Sequence, residues 1–131
     1  MSFGYQVLGF GSSAASRGLV LDITSNTSNV NILTLAQAAG YNASTDTTPI
    51  IVNVASGVAV TASSAPAMRT GSLNAGSPLT INVAGTVTGF TGANGSPGSA
   101  AGTSGTGSAG SAGSAGGDGI LFEISSGTGT Y

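Results

Sequence analysis

Residues 89–119 read GFTGANGSPGSAAGTSGTGSAGSAGSAGGDG, and glycine fills 12 of these 31 positions. From Thr91 onward no side chain in this glycine tract is larger than Asn, Pro or Asp, so the tract has almost no apolar surface with which to build a hydrophobic core. The glycines recur every third residue, with one register slip after Gly98 and another after Gly105: Gly89, Gly92, Gly95 and Gly98, then Gly102 and Gly105, then Gly107, Gly110, Gly113, Gly116 and Gly119. A period of three is that of a polyproline-II-type helix, in which every third residue faces the same side.

Two interpretations of the tract compete. Gly/Ser-rich segments usually act as flexible linkers. Alternatively, glycine edges let extended helices approach closely, so that their N–H and C=O groups bond to neighbouring helices of the same chain or of identical chains. A collagen triple helix fits less well, because the tract has the single proline Pro97 and its triplets are interrupted.

The flanks of the tract favour order. Phe90 lies at one end and the apolar residues 120–122 at the other, which is typical of a packed excursion rather than a free tail. We therefore predict short polyproline-II-like helices with facing glycine edges and with turns at the slips near Ala101 and Thr106. Positions between the glycines, such as Ser111, are expected to face outward.

The composition bounds the class of protein. The chain has 131 residues, enough for one domain, and only six are charged: Arg17, Asp22, Asp46, Arg69, Asp118 and Glu123. An ordinary domain is about a quarter charged. Leu, Ile, Val and Phe together supply only 28 residues. Such a chain suits an assembly, and we predict a homotrimer because small cores usually need a partner.

Several functions are disfavoured by what the sequence lacks. There is no basic patch to neutralise phosphates, so we predict no nucleic-acid partner, and no apolar run long enough to insert into a membrane. The chain has no His and no Cys, which removes the usual general base, thiolate nucleophile and metal ligands. The four carboxylates are scattered among predicted strands and turns. We predict no enzyme, no catalytic, cofactor-binding or metal site, and no cofactor.

Three motifs have simpler explanations. Gly105–Gly110 matches G-x-G-x-x-G but follows no strand and opens no helix, as a dinucleotide site requires. Gly9–Ala14 leaves no room for a crossover helix before the next strand. Residues 116–122 resemble a calcium-binding repeat, but that motif needs tandem copies and a second aspartate, and here it occurs once.

The rest of the chain predicts short strands. Residues 1–16 are expected to form an anchoring arm, in which the apolar residues 3–10 dock on another chain. Residues 17–88 are expected to form a β-rich domain with one helix at 32–39, capped by Asn31 and Gly40. After the glycine-rich segment 89–119, residues 120–131 supply a closing strand and tail. Alternating apolar residues predict strands at 18–24, 79–83 and 120–124, and two short strands at 50–55 and 58–62 on either side of Ser56-Gly57. The predicted fold class is all-β, sandwich- or solenoid-like, with one short helix and a polyproline-II-like segment.

The order of parts between residues 29 and 122 resembles a glycine-rich module of tailed-bacteriophage structural proteins, found at fibre or tail-tip ends. The shared features are a short helix ending in Ala-Ala-Gly-aromatic (38–41), a Val-rich segment (51–58), Arg-Thr-Gly-Ser-Leu (69–73), the run AGSPLTINVAGTVTG (75–89) and the glycine tract. The resemblance implies a non-enzymatic virion structural protein at the particle surface, as a capsid decoration or fibre-tip protein. The alternatives are a host-receptor-binding tail adhesin and a bacterial extracellular filament subunit. The predicted partners are other copies of the chain, other virion proteins through residues 3–10, and a host-surface receptor.

Overall fold

The structure, a computed structural model, describes residues 17–123. The arm predicted at 1–16, with its docking residues 3–10, and the tail at 124–131 lie outside the described residues and stay predictions. The described part contains nine strands and one helix, in the order β1 Leu19–Ile23, β2 Thr27–Ser28, β3 Val30–Asn31, α1 Ile32–Ala38, β4 Ile50–Val54, β5 Ala59–Thr61, β6 Met68–Arg69, β7 Leu79–Val83, β8 Thr86–Thr88 and β9 Ile120–Leu121.

The strands build a three-rung parallel β-solenoid. Rung 1 consists of β1, β2 and β3, rung 2 of β4, β5 and β6, and rung 3 of β7, β8 and β9. Each rung contributes one strand to each of three sheets, which have the orders β1-β4-β7, β2-β5-β8 and β3-β6-β9. All six pairings are parallel and join strands of successive rungs. The all-β prediction is confirmed. Of the two architectures predicted, sandwich-like and solenoid-like, the structure adopts the solenoid.

The hydrophobic core lies inside the coil, and rung 2 carries its most deeply buried residues. Alternation along β4 points Ile50, Val52 and Val54 inward, and these side chains are at most 1% exposed. Val60 and Met68 complete the inner face of the rung and have no exposed surface. Rung 2 is the best buried because it has a rung stacked on either side, so its inward side chains lose water from both directions.

The corners between the sheets require particular residues. Asn29 turns the chain between β2 and β3 with φ 52°, a left-handed conformation that Asn tolerates better than most residues. Its side-chain amide donates to the Ser63 hydroxyl at 2.6 Å and accepts from the Ser63 N–H at 3.1 Å, which ties the corners of two rungs together. Gly85, between β7 and β8, lies against the corner between β4 and β5 of rung 2. A Cβ added at Gly85 would meet the Val58 carbonyl oxygen at less than 3.0 Å.

The helix prediction is confirmed to within one residue. The helix covers Ile32–Ala38, and the Asn31 side chain accepts from the Thr34 N–H at 3.4 Å. Gly40 has φ 96°, as expected for the residue that ends the helix. Tyr41 folds back and is buried, and its hydroxyl bonds to the Ser77 hydroxyl at 2.8 Å.

The strand predictions are confirmed where the strands are long. β1, β4 and β7 lie at the predicted alternating runs, whereas the closing strand covers Ile120–Leu121 and does not extend through residues 122–123 as predicted; residue 124 lies outside the described residues. The two-residue strands β2, β3 and β6 were not predicted. Two residues are too few to show alternation, and these strands owe their existence to pairing with the neighbouring rung.

Candidate functional site: the glycine hairpin

The glycine tract leaves the solenoid between β8 and β9 and folds into a hairpin, here called the glycine hairpin, residues 89–119. Its first arm runs over residues 89–101 and its second arm over 106–119. Every residue from 93 to 118 is exposed, so the hairpin stands clear of the solenoid core. Residues 91–117 include no charged side chain, so their exposed surface is formed by backbone, hydroxyl, amide and methyl groups and the Pro97 ring.

The two arms are joined by backbone hydrogen bonds at three-residue intervals. Each bond runs from an N–H of the second arm to a carbonyl of the first: Gly117 to Phe90 at 2.8 Å, Ser114 to Ala93 at 2.9 Å, Ser111 to Ser96 at 3.0 Å and Ser108 to Ser99 at 3.1 Å. The donors move toward lower numbers as the acceptors move toward higher ones, so the arms are antiparallel. A repeat of three is that of paired polyproline-II-type helices, since a β-ladder would repeat every two residues. The tract is therefore ordered in the structure, and its backbone groups find partners in the same chain.

Serine hydroxyls of the second arm supply a second set of bonds. The N–H groups of Ala93, Ser96 and Ser99 donate to the hydroxyls of Ser114, Ser111 and Ser108, at 2.7, 2.9 and 3.3 Å respectively. Ser111 is exposed, as expected, but its hydroxyl bonds to the other arm instead of facing away from it. The signal for this role is in the sequence, because Ser108-Ala-Gly, Ser111-Ala-Gly and Ser114-Ala-Gly repeat the same triplet with serine always in the same place.

The glycines of both arms face the opposite arm. A Cβ added at any of eight arm glycines would lie less than 3.0 Å from a carbonyl oxygen across the hairpin: Gly89, Gly92, Gly95, Gly98, Gly107, Gly110, Gly113 and Gly116. None of these glycines has a positive φ, so closeness of the arms, and not backbone conformation, requires the missing side chain. The facing glycine edges were predicted from the three-residue period.

The hairpin reverses at a single turn. The Gly105 N–H donates to the Gly102 carbonyl at 3.3 Å, which closes a tip made of Gly102, Thr103, Ser104 and Gly105. A Cβ added at Gly102 or Gly105 would meet nothing within 4 Å. Turns had been expected at Ala101 and Thr106, but both register slips flank this one turn. The glycine period is interrupted here because the tip residues form no hydrogen bonds between the arms. The period of three starts again in the second arm.

The base of the hairpin is tied to rung 2. Backbone N–H groups of Met68 and Thr70 donate to the carbonyls of Gly119 and Leu121 at 2.9 and 3.0 Å. Beyond them the Glu123 carboxylate accepts from the Arg69 guanidinium through two nitrogens, with Nε to Oε2 at 2.8 Å, and from the Gly71 N–H at 3.1 Å. The bond from Arg69 lowers the pKa of Glu123 below its usual value, since it stabilises the charged carboxylate.

The other carboxylates lie apart from this pair. Asp22 accepts from the Asn53 side chain at 2.7 Å, and Asp46 accepts from the Asn42 N–H at 2.8 Å in a surface turn. Within residues 17–123 no group of three acidic side chains lies close enough together to hold a metal ion. The G-x-G-x-x-G match of Gly105–Gly110 runs from the tip into the second arm and opens no helix. The described helix has seven residues, and none in residues 17–123 could cross a bilayer.

A match to a known protein family spans most of the described fold. The sequence model of the family described as phage tail fibre adhesin Gp38 matches residues 19–128, which includes all three rungs and the whole hairpin. The chain belongs to the phage tail fibre adhesin Gp38 family. Neither the comparison with curated proteins nor that with solved structures found a match. The resemblance to a glycine-rich module of bacteriophage structural proteins is thereby confirmed, and the protein is a virion-associated adhesin-family protein.

Proposed function

We propose that this Gp38-family protein is a receptor-binding adhesin displayed on a phage tail fibre, and that the glycine hairpin is the part that meets the host surface. The observation that carries the proposal is a doubly hydrogen-bonded ribbon standing free of the solenoid in a chain of this family. At the rise of a polyproline-II helix, roughly 3.1 Å per residue, arms of this length reach about 40 Å from the base. The tip is thereby held away from the solenoid by a support that has no apolar core.

The chemistry of the tip suits recognition through hydrogen bonds. Thr103 and Ser104 present two hydroxyls between glycines, and all four tip residues are exposed. Since residues 91–117 carry no charge, we infer that binding depends little on ionic strength. A non-enzymatic role agrees with a sequence that has no His and no Cys.

Binding of purified protein to host cells tests the proposal. The double variant T103A/S104A removes both tip hydroxyls while leaving the ladder in place. Two lost hydrogen bonds should weaken cell binding about tenfold. Ser44→Ala, in an exposed surface turn far along the chain, is the control and should bind as the parent does. Equal binding by parent and tip variant would contradict a receptor role for the tip.

Location on the particle distinguishes this function from capsid decoration. The family match favours the tail fibre over the capsid face. Immunogold labelling of intact particles should place the protein at the tail alone, and label spread over the capsid would instead support decoration.

The homotrimer stays part of the proposal. Its support is the small supply of large apolar residues, 28 in a chain of 131, since small cores usually need a partner. Light scattering should give three times the chain mass of 12.3 kDa, and a monomer mass with cooperative unfolding would contradict it.

A further inference from the structure

Rung 3 is the open end of the solenoid among the described residues. Val54 of β4 and Val83 of β7 are partners in the parallel register, yet Val54 is 1% exposed and Val83 is 44% exposed. Leu79 and Ile81 are likewise only half-buried, whereas their β4 partners have no exposed surface. The inner face of rung 3 therefore keeps apolar surface that a fourth rung would remove from water.

The edge of β7 is also unpaired within residues 17–123. The Ile50 N–H donates to the Pro78 carbonyl and the Ala84 N–H donates to the Val54 carbonyl, which points the backbone groups of residues 78, 80, 82 and 84 toward rung 2. Since successive residues of a strand point their backbone groups to opposite sides, those of Leu79, Ile81 and Val83 point away from it. No described strand other than β4 pairs with β7. Edge strands are usually protected by charged residues, but β7 and β8 contain none.

On the outer face of this sheet, a column of side chains is joined by hydrogen bonds that all run in the same direction. Asp22, Asn53 and Asn82 are in register on β1, β4 and β7. The Asn53 amide donates to the Asp22 carboxylate at 2.7 Å, and the Asn82 amide donates to the Asn53 carbonyl oxygen at 2.9 Å. Each rung thus donates to the rung before it. The Asn82 side-chain oxygen is left at the open end with no donor from residues 17–123.

This direction argues against a second copy of the chain stacked end to end. A second copy stacked in register would bring Asp22 onto Asn82, and a carboxylate can only accept hydrogen bonds, so two acceptors would face each other.

We infer that the β7 edge binds a parallel β-strand of another protein, with an Asn or Gln side chain in register with Asn82 and aliphatic residues on either side of it. The added strand takes backbone hydrogen bonds from the free edge, as in other cases of strand addition. Its amide donates to the Asn82 oxygen, and its aliphatic residues cover Ile81 and Val83. The required pattern is that of the rungs themselves, IIVNV in β4 and LTINV in β7.

A fluorescent peptide with the sequence of residues 49–56, PIIVNVAS, lengthened by lysines at its amino end for solubility, tests the inference with the intact protein. Fluorescence anisotropy should show saturable binding. The same peptide with Asp in place of its Asn should bind about tenfold or more weakly, because a donor is replaced by an acceptor. Equal affinities for the two peptides, or no saturable binding up to millimolar peptide, would overturn the inference.

Variants of the protein locate the binding edge. Val83→Pro removes an edge N–H without touching the β4–β7 bonds and should abolish peptide binding. Val20→Pro is the matched control at the opposite end of the same sheet, where Val20 is 51% exposed, and should bind the peptide as the parent does.

Amide exchange gives a second measurement, since bound peptide should slow exchange at Leu79, Ile81 and Val83. Self-association of the protein alone that Val83→Pro removes would assign the edge to a second copy and overturn the inference. Because no substitution touches the hairpin, these results do not depend on receptor binding.

Discussion

Ser96 and Ser111 form a reciprocal pair across the glycine hairpin. The Ser111 N–H donates to the Ser96 carbonyl at 3.0 Å, and the Ser111 hydroxyl accepts from the Ser96 N–H at 2.9 Å. Both backbone groups of Ser96 are therefore satisfied by one residue of the other arm. Because the same arrangement recurs one triplet away in each direction, a segment with no hydrophobic core has a defined structure.

Replacing Ser111 by Ala should loosen the hairpin locally. The variant leaves the Ser96 N–H without its hydroxyl acceptor, at a cost of about 0.5–1.5 kcal/mol for one hydrogen bond, toward the lower end because water can reach this exposed site. Amide exchange at Ser96 should rise severalfold, with little change in the thermal midpoint of the solenoid. Ala112→Ser, at the adjacent exposed position, is the control. If both variants exchange at the parent's rate, the hydroxyl bond contributes nothing.

Replacing an arm glycine by Ala should separate the arms. A Cβ at Gly95 would lie less than 3.0 Å from the Ser111 carbonyl oxygen, whereas a Cβ at Gly102 in the tip would meet nothing within 4 Å. Overpacking of this kind costs about 1–3 kcal/mol. Gly95→Ala should therefore speed amide exchange at Ser111 and Ser114, while Gly102→Ala leaves it unchanged. A similar response to both substitutions would mean that inter-arm packing does not hold the hairpin.

The sequence predicts the parts of this protein that repeat and misses those that depend on contacts between rungs. Alternation along β1, β4 and β7 identifies strands and inward residues, and Asn31 and Gly40 mark the ends of the helix, because both signals are local. The glycine period predicts facing edges for the same reason. The parallel register of Val54 with Val83 has no local signal, since it depends on how the chain coils, and strands of two residues such as β6 arise only from that coiling.

In the hairpin, too, some features have a local signal in the sequence and others depend on distant contacts. A period of three identifies which residues face the other arm, but it does not say whether the other arm belongs to the same chain or to another. That choice is made at the tip, where two register slips leave Gly102–Gly105 free to turn. The hydroxyl bond of Ser111 has only a weak signal in the sequence, because serine is common on protein surfaces and only the repeated Ser-Ala-Gly triplet sets it apart. The Arg69–Glu123 pair joins residues 54 positions apart, and no sequence spacing indicates it.

Truncating a core valine of rung 2 should destabilise the solenoid far more than truncating a surface valine of rung 1. Val52 has no exposed surface and Val20 is 51% exposed, and both lie in the same sheet. Val52→Ala loses the transfer free energy of two methyl groups and leaves a cavity, about 2–3 kcal/mol in all. Val20→Ala should stay within about 0.5 kcal/mol. Urea unfolding measures both, and equal losses would contradict the placement of the core.

Acid should weaken the base of the hairpin through Glu123. The hydrogen bond from the Arg69 guanidinium lowers the pKa of Glu123 from its ordinary value of 4.5, and the Gly71 N–H bond acts in the same direction. A carboxyl whose pKa is lower in the folded protein stabilises it above the unfolded pKa, and this stabilisation is lost as the pH falls through the folded pKa. The thermal midpoint of the parent should therefore exceed that of Glu123→Gln at neutral pH, and the difference should shrink below about pH 4.5.

High salt should reduce this difference in thermal midpoint less than acid does, because the bidentate hydrogen bonds survive screening better than charge attraction alone. Asp118→Asn, which leaves the Arg69–Glu123 pair intact, should not reproduce this dependence. A parent and a Glu123→Gln variant whose midpoints fall in parallel from neutral to acid pH would show that the ion pair does not hold the base in place.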